Sequence, residues 1–171
     1  MTTDPTARER NPFLEAVGRV TVAGAALDHN LHNMLGMLSM EPTLIHLANA
    51  EGTARLIELC ELVVSVHGFA AEDAADIRQC LARAKALKDK RNTVVHSLYM
   101  GAEDGNGLEA LKPLRRKLGH TATPITVEEM EALADDIVQL RTDIFRATWN
   151  ARAKEKGINR IPNPAAPTTG A

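Results

Sequence analysis

The chain has 171 residues, a formal net charge of −2 and only 3% aromatic residues. This length is enough for one domain with a proper core, and the acidic balance argues against a protein that coats nucleic acid by general charge, although it leaves a local basic site open. Few aromatics beside many Ala, Leu and Val residues favour helices packed through aliphatic side chains over a β-sandwich.

The cysteines and the N-terminus indicate a cytoplasmic protein. Cys60 and Cys80 each occur among apolar residues with helical spacing, as reduced core cysteines do. Residues 1–11 are polar and charged, which is untypical of a signal peptide, and we expect them to be a flexible N-terminus. The longest apolar tract, residues 20–40, is interrupted by polar residues and predicts an amphipathic helix, not a membrane span.

Residues 12–156 are predicted to form one helical domain. Asn11 and Pro12 are typical of a helix start, and the first helix is expected to run to about residue 39. Small residues at positions 23–26 would let another helix approach it closely. Apolar residues at three-and-four spacing predict two more helices over about 53–67 and 72–98. Residues 99–123 contain four Gly and one Pro, which favour a loop or a short β-hairpin.

The last helix has the clearest start in the sequence. Thr126 and Glu129 have the spacing of a capping box, and the apolar pattern continues to about residue 156. The segment 157–171 has no such pattern and is predicted to be a disordered C-terminal tail. These segments together predict an all-α protein, an antiparallel four-helix bundle with a short loop or β-hairpin insertion before the last helix.

The end of the third helix combines residues that could cleave a phosphodiester. RNA cleavage through the 2′-hydroxyl needs a base, an acid and positive charge on the phosphorane. His96 could serve as acid or base, and the Arg91 guanidinium could bind phosphate oxygens. Asn92 could hold the imidazole tautomer or bind a phosphate oxygen.

The spacing of Arg91 and His96 conflicts with an active site on one helix. At about 100° per residue they lie about 140° apart, whereas Asp89, Asn92 and His96 share a face. Three resolutions remain open: the helix ends early, the Arg91 side chain curls round, or Arg91 of one subunit meets His96 of another. We favour the last, combined if needed with the second, because it explains an arginine on an apolar stripe.

A purely structural interpretation of the motif is also open. An arginine on an apolar stripe usually pairs with a buried carboxylate, here Asp28 or Glu61, and a histidine near a helix end often only caps carbonyls. If Arg91 is sealed against a carboxylate of its own subunit, a non-catalytic module is favoured. If a dimer brings both His96 side chains to one accessible cleft, an enzyme is favoured.

The segment Lys90-Arg91-Asn92-x-x-x-His96, at the end of the third of four predicted helices, resembles the motif of the HEPN superfamily. In that motif an Arg, commonly followed by a polar residue, precedes a His, and this chain matches the shortest spacing. The first helix, with Gly18-Arg19-Val20 and Ala26-Leu27-Asp28-x-x-Leu31, is also similar to the opening helix of small bacterial members. The resemblance covers roughly residues 12–155, and only the motif is specific.

The resemblance implies a homodimeric helical bundle in which both motifs meet at the interface. Active members are metal-independent endoribonucleases that need no cofactor, often toxins or anti-phage effectors held in check by an antitoxin or inhibitor protein. It would make Arg91, Asn92 and His96 the catalytic residues. Other members are non-catalytic and bind a nucleotide or a protein partner, which is the alternative for this chain. A third, weaker alternative is an antitoxin or regulator that binds its partner through the tail.

Basic residues on both sides of the motif are candidate RNA contacts, although a solvated helix face and a charged loop are the more common explanation of such clusters. They are Lys85, Lys88, Arg115, Arg116 and Lys117, with Tyr99 as a base-stacking residue. Asp28 and Asp89 are candidate supporting residues; Asp28 lies near the apolar stripe and could pair with Arg91 or His96. His29 and His32 have metal-ligand spacing, but the paired Glu-x-x-His motifs of a di-iron bundle are absent, so no metal is expected.

Overall fold

The computed structural model describes residues 10–101, 108–114 and 118–163. These residues form a mostly helical domain with five helices and a three-stranded antiparallel sheet. In chain order the elements are α1 (Pro12–Ser39), α2 (Pro42–Leu47), α3 (Thr53–Val66), α4 (Ala71–His96), β1 (Leu98–Gly101), β2 (Leu108–Pro113), β3 (His120–Ile125) and α5 (Val127–Lys156). No helix in these ranges has the length and apolarity needed to cross a membrane.

The predicted starts of the first and last helices are confirmed. The Asn11 side chain accepts a hydrogen bond from the Leu14 N–H at 3.2 Å, with Pro12 in the first turn of α1. At the start of α5, the Glu129 N–H donates to Thr126 Oγ1 and the Thr126 N–H donates to Glu129 Oε2. These bonds satisfy backbone donors that have no partner inside the helix.

The core lies between α1, α3, α4 and α5. Its fully buried side chains are almost all aliphatic, which confirms the expectation from composition. They include Leu27, Leu31, Leu35, Leu38, Leu56, Ile77, Leu81, Ile137, Leu140 and Ile144. Burial of each such side chain contributes about 1.5–3 kcal/mol.

The helix directions correct the prediction of a uniformly antiparallel bundle. α1 and α5 run in the same direction, because Arg19 near one end of α1 contacts Asp135 at 2.8 Å, and Arg152 near the far end of α5 donates to the Met37 carbonyl at 3.0 Å. The connection through α2 runs back along α1, since the Ile45 carbonyl lies 3.2 Å from His32 Nε2. α3 therefore starts beside the middle of α1, a path that no local pattern encodes.

Residues 98–125 correct the prediction in a second way. β1, β2 and β3 form an antiparallel sheet in that order, with Tyr99 opposite Ala110 and Ala110 opposite Thr123. The segment predicted as a loop or short hairpin thus has three strands, and the protein is not purely all-α. The β-branched Thr121, Thr123 and Ile125 give β3 strand character that its neighbouring Gly and Pro obscured.

The predicted disordered tail is partly docked. The Asn150 side chain accepts from the Ile161 N–H at 2.7 Å and donates to the Ile161 carbonyl at 2.9 Å. Arg160 binds Asp73 at the start of α4 through both of its terminal nitrogens. Residues 158–161 therefore pack on α4 and α5, while residues 164–171 and the first nine residues of the predicted flexible N-terminus lie outside the described ranges.

Candidate phosphate-binding site

Arg91 is held inside its own chain by a carboxylate and a hydroxyl. Its Nη2 donates to Asp28 Oδ2 and to Thr53 Oγ1, both at 3.0 Å, and the Thr53 hydroxyl donates to Asp28 Oδ1. The Arg91 side chain is 16% exposed and that of Asp28 is 34% exposed. This network ties α1, α3 and α4 together, and of the two carboxylates expected as partners of Arg91 in the structural interpretation, Asp28 is the one it contacts.

The small residues of α1 make room for the Arg91 stem. A Cβ atom on Gly24 would lie 2.9 Å from Arg91 Nε and 3.1 Å from Cγ, closer than such contacts allow. The arginine therefore crosses α1 directly over Gly24. Part of the small-residue segment that we expected to receive a helix instead receives this arginine side chain.

Arg91 also lines an open cleft of about 410 Å³, which we call the Arg91 cleft. Its walls come from α1, α4 and the start of α3. The lining residues are Asp28, Gly52, Thr53, Ala54, Arg55, Lys88, Arg91 and Asn92. Three of these side chains are cationic, and each of them also pairs with a carboxylate: Arg55 with Glu58, Lys88 with Asp89 and Arg91 with Asp28.

The start of α3 adds backbone donors to the Arg91 cleft. Gly52 is the N-cap of α3 and makes no side-chain capping bond, so the first N–H groups of this helix lack that partner. Such N–H groups, together with the helix dipole, favour an anion. Arg55 in the first turn pairs with Glu58 at 2.9 Å, and both side chains are exposed.

His96 does not line the Arg91 cleft. It is the last residue of α4 and is exposed, whereas Asn92, one turn earlier, is half-buried and faces the cleft. Among the described residues, no hydrogen bond joins His96 to Arg91, Asn92 or Asp28. One chain thus brings together Lys88, Arg91, Asn92 and Asp28. The separation of His96 from Arg91 agrees with the angular spacing, whereas Asn92, which was expected to share a face with His96 and Asp89, lines the cleft with Arg91 instead.

Lys88 and Asp89 lie side by side near the cleft. Lys88 Nζ is 2.8 Å from Asp89 Oδ1, and this hydrogen bond, with nearby lysine charges, holds the pKa of the exposed Asp89 carboxyl below its ordinary value. Asp89 is outside the cleft lining, so its observed contact is with Lys88 and not with the motif. Lys85 is exposed on α4, also outside the lining.

Tyr99 lies where β1 leaves α4. Its hydroxyl donates to the Val94 carbonyl at 2.5 Å, and its ring meets Phe13 edge-on with centroids 4.8 Å apart. Burial raises the pKa of this phenol. The observed contacts of Tyr99 therefore join β1 to α4 and α1. The other predicted RNA contacts, Arg115, Arg116 and Lys117, lie outside the described residues.

Thr53 and Gly24 are the parts of this site that sequence reasoning missed. Thr53 reads as an ordinary first residue of a helix, and Gly24 as one of several small residues. Their roles depend on α2 returning the chain to the middle of α1. The sequence did contain one indication of a further partner. An arginine and an aspartate near apolar stripes indicate a buried ion pair, and such a pair usually has a third polar partner.

A second cleft of about 330 Å³ meets the first at Asp28, which lines both. We call it the Glu51 cleft. Its lining residues are Asp28, His29, His32, Ala48, Asn49, Glu51 and Leu56. Within residues 10–101, 108–114 and 118–163, no group of three His, Cys, Asp or Glu side chains is arranged to hold a metal ion.

Comparison with protein-family models, with curated proteins and with solved structures finds no match to this chain.

Proposed function

We propose that this chain binds RNA through a phosphate group in the Arg91 cleft and acts, as a homodimer, as a metal-independent endoribonuclease of the HEPN type. The observation that carries this proposal is the cleft itself. Lys88, Arg91 and Asn92 face one space, together with the first N–H groups of α3. Because only Nη2 of Arg91 has hydrogen-bond partners within the described residues, Nη1 remains available to a phosphate oxygen.

The exposed position of His96 fits an active site completed by a second copy. In this proposal His96 takes the proton from the 2′-hydroxyl, O2′ attacks phosphorus, and the bond from phosphorus to O5′ breaks. The leaving O5′ then takes a proton, from the second His96 of the dimer, and a 2′,3′-cyclic phosphate remains. Arg91 stabilises the charge on the phosphorane, and Asn92 orients a phosphate oxygen.

Apolar surface beside His96 supports the dimer. Leu98 and Met100 follow the motif on β1 and are 65% and 53% exposed. Both lie on one face of the sheet, because they are two residues apart in a strand. A stable interface covers about 800 Å² on each partner, and its centre is more apolar than its rim, with methionine among the enriched residues.

A non-catalytic module that binds a nucleotide or a protein partner is the second candidate. The specific observation in its favour is the contact of Arg91 with Asp28 of the same chain, joined by Thr53. This contact supplies a structural reason for the arginine that needs no chemistry. Both candidate functions include phosphate binding in the open Arg91 cleft. Only the ribonuclease would also cleave RNA, so cleavage distinguishes the two.

The deciding experiment measures RNA cleavage by the purified full chain in excess EDTA. Arg91→Ala and His96→Ala are expected to lower the cleavage rate at least about a hundredfold, because each removes an acid–base or charge-stabilising group. Arg78→Ala and His46→Ala are matched controls, since both side chains are exposed and lie outside both clefts. Circular dichroism and light scattering check that each variant keeps its fold and oligomeric state.

If wild type leaves several classes of RNA intact while inorganic phosphate binds in the Arg91 cleft, the non-catalytic module is supported. Equal cleavage by wild type and His96→Ala overturns the proposed mechanism. A monomer in light scattering, with full activity, overturns the shared active site.

A further inference from the structure

The Glu51 cleft lies next to the Arg91 cleft, beside the chain segment that precedes α3. Asp28 forms part of both walls, and residues 48–52 lead directly into the start of α3. The Glu51 N–H donates to the Ala48 carbonyl at 3.1 Å, which fixes this connection as a turn. A ligand with its phosphate at Arg91 therefore has adjacent space for its next group.

The lining of the Glu51 cleft suits a planar polar ring. Ala48 and Leu56 form the apolar floor of the cleft and are 1% and 2% exposed. His29 is exposed on α1 and offers an aromatic face beside that floor. A nucleobase needs this combination of an apolar surface, a stacking partner and polar groups at its edge.

Glu51 is the group that can read the base edge. Both carboxylate oxygens of Asp28 are already occupied, one by Thr53 and the other by Arg91. Among the described residues, the Glu51 side chain has no such partner, and it is exposed at the rim. An ionised carboxylate only accepts hydrogen bonds, so it selects a base edge that donates.

We propose that the Glu51 cleft holds the base of the nucleotide whose phosphate lies in the Arg91 cleft, and that Glu51 selects guanine over uracil. This inference rests on the proposed phosphate binding. Guanine presents N1–H and N2–H side by side, which match the two oxygens of one carboxylate. Uracil presents a single N3–H donor between two carbonyl oxygens. These oxygens are acceptors, so they repel the carboxylate of Glu51.

The test follows backbone amide signals of the ¹⁵N-labelled full chain by NMR during titration with inorganic phosphate, GMP or UMP in EDTA. All three probes are expected to shift the amides of Thr53 and Ala54. GMP is expected also to shift Asn49 and Glu51, and to bind about tenfold more tightly than UMP, the effect of one two-pronged base contact. Glu51→Gln is expected to bring the two affinities together without weakening UMP.

Glu61→Gln is the matched control, because it removes the same charge from an exposed position on α3 outside both clefts. Equal affinities for GMP and UMP in wild type, or a preference that survives in Glu51→Gln, overturn the base site. If phosphate still shifts Thr53 and Ala54 in that case, the proposed phosphate binding in the Arg91 cleft stands without the base site. If none of the probes shifts these two amides, phosphate binding in the Arg91 cleft is overturned as well.

Discussion

Helix α4 contributes one residue to an arginine–aspartate pair near each of its ends, Asp73 at the start and Arg91 near the other end, and the two arginines make different contacts. At its start, Arg160 places Nη1 and Nη2 on the two oxygens of Asp73, at 3.2 and 2.7 Å, and the Asp73 side chain is only 7% exposed. Near its other end, Arg91 contacts Asp28 and Thr53 through Nη2 alone and still borders a cleft. The first pair fastens the tail, whereas the second leaves Nη1 of its arginine without a hydrogen-bond partner among the described residues.

Replacing each arginine by methionine should separate these two roles. Arg160→Met should lower the free energy of unfolding by about 3 kcal/mol, because Asp73 is only 7% exposed and loses both of its hydrogen bonds to Arg160. Arg91→Met should cost about 1 kcal/mol, because Asp28 is 34% exposed and keeps its hydrogen bond from Thr53. Urea denaturation measures both values.

Phosphate affinity should distinguish the same two variants. Arg91→Met is expected to abolish the phosphate-dependent shifts of Thr53 and Ala54, and Arg160→Met to leave them unchanged. An equal loss of binding in both would mean that phosphate binding follows overall stability, and the contrast between the two pairs would be wrong.

Glycine substitutions on α1 test the position of the Arg91 side chain without touching its charge. Gly24→Ala places a methyl group 2.9 Å from Arg91 Nε and must displace the guanidinium, so we expect about a tenfold loss of phosphate affinity. Gly18→Ala is the matched control, because nothing lies within 4 Å of the new methyl group. It should raise stability by up to about 1 kcal/mol with unchanged affinity. Equal affinities in the two variants would contradict the observed path of Arg91.

Thr53 offers a smaller and more specific change. Thr53→Val keeps the volume and removes the hydroxyl that accepts from Arg91 and donates to Asp28, at an expected cost of about 1 kcal/mol. Thr53→Ser retains the hydroxyl and should restore most of both stability and phosphate affinity. A serine variant as weak as the valine variant would assign the effect to packing.

The helices could be predicted from the sequence because they depend on local pattern, whereas the partner of Arg91 could be predicted only as a carboxylate, either Asp28 or Glu61. Capping residues such as Asn11 and Thr126 act on their own helix, and an arginine on an apolar stripe needs a carboxylate. The third strand, the common direction of α1 and α5, and the docking of residues 158–161 could not be predicted in this way. Each depends on contacts between segments far apart in sequence, such as Asn150 with Ile161 or Arg19 with Asp135.

The residues of the candidate site also fall into two groups, those that are close in sequence and those that the fold brings together. Lys88, Arg91 and Asn92 are close in sequence on α4, so their common cleft follows from one helix. Thr53 and Arg55 join them only because α2 returns the chain along α1. The separation of His96 from Arg91 was visible in the helical period, and its proposed solution by a second copy is a prediction that light scattering and cleavage must test.

The reactivities of the two buried cysteines can report separately on the two arginine–aspartate pairs. Cys60 lies in α3, near α1, and burial raises its thiol pKa to about 12. Cys80 lies in α4 close to α5, and burial raises its thiol pKa to about 11. Because the thiolate is the reactive form, we expect both to resist alkylation in the native protein at pH 8.

The pH dependence of stability follows from the same raised pKa values. An unfolded thiol ionises near its ordinary pKa of 9.0, below either folded value. The stability that comes from the protonated thiols is therefore complete below pH 9 and is lost as the pH rises through 11 to 12. Urea denaturation at stepped pH is expected to show a falling free energy of unfolding over this window, and a rise would contradict the burial of the thiols.

The alkylation rates of Cys60 and Cys80 can then show which end of α4 loses its contacts first. Arg160→Met releases the tail from α4 and α5, so we expect Cys80 to be alkylated faster than Cys60 in that variant. Arg91→Met loosens the contact of α3 with α1 and α4, and the order should reverse. Mass spectrometry of the alkylated peptides measures both rates in one sample. If the two cysteines react at the same rate in both variants, the protein opens as a single unit, and the two ends of α4 are not independent.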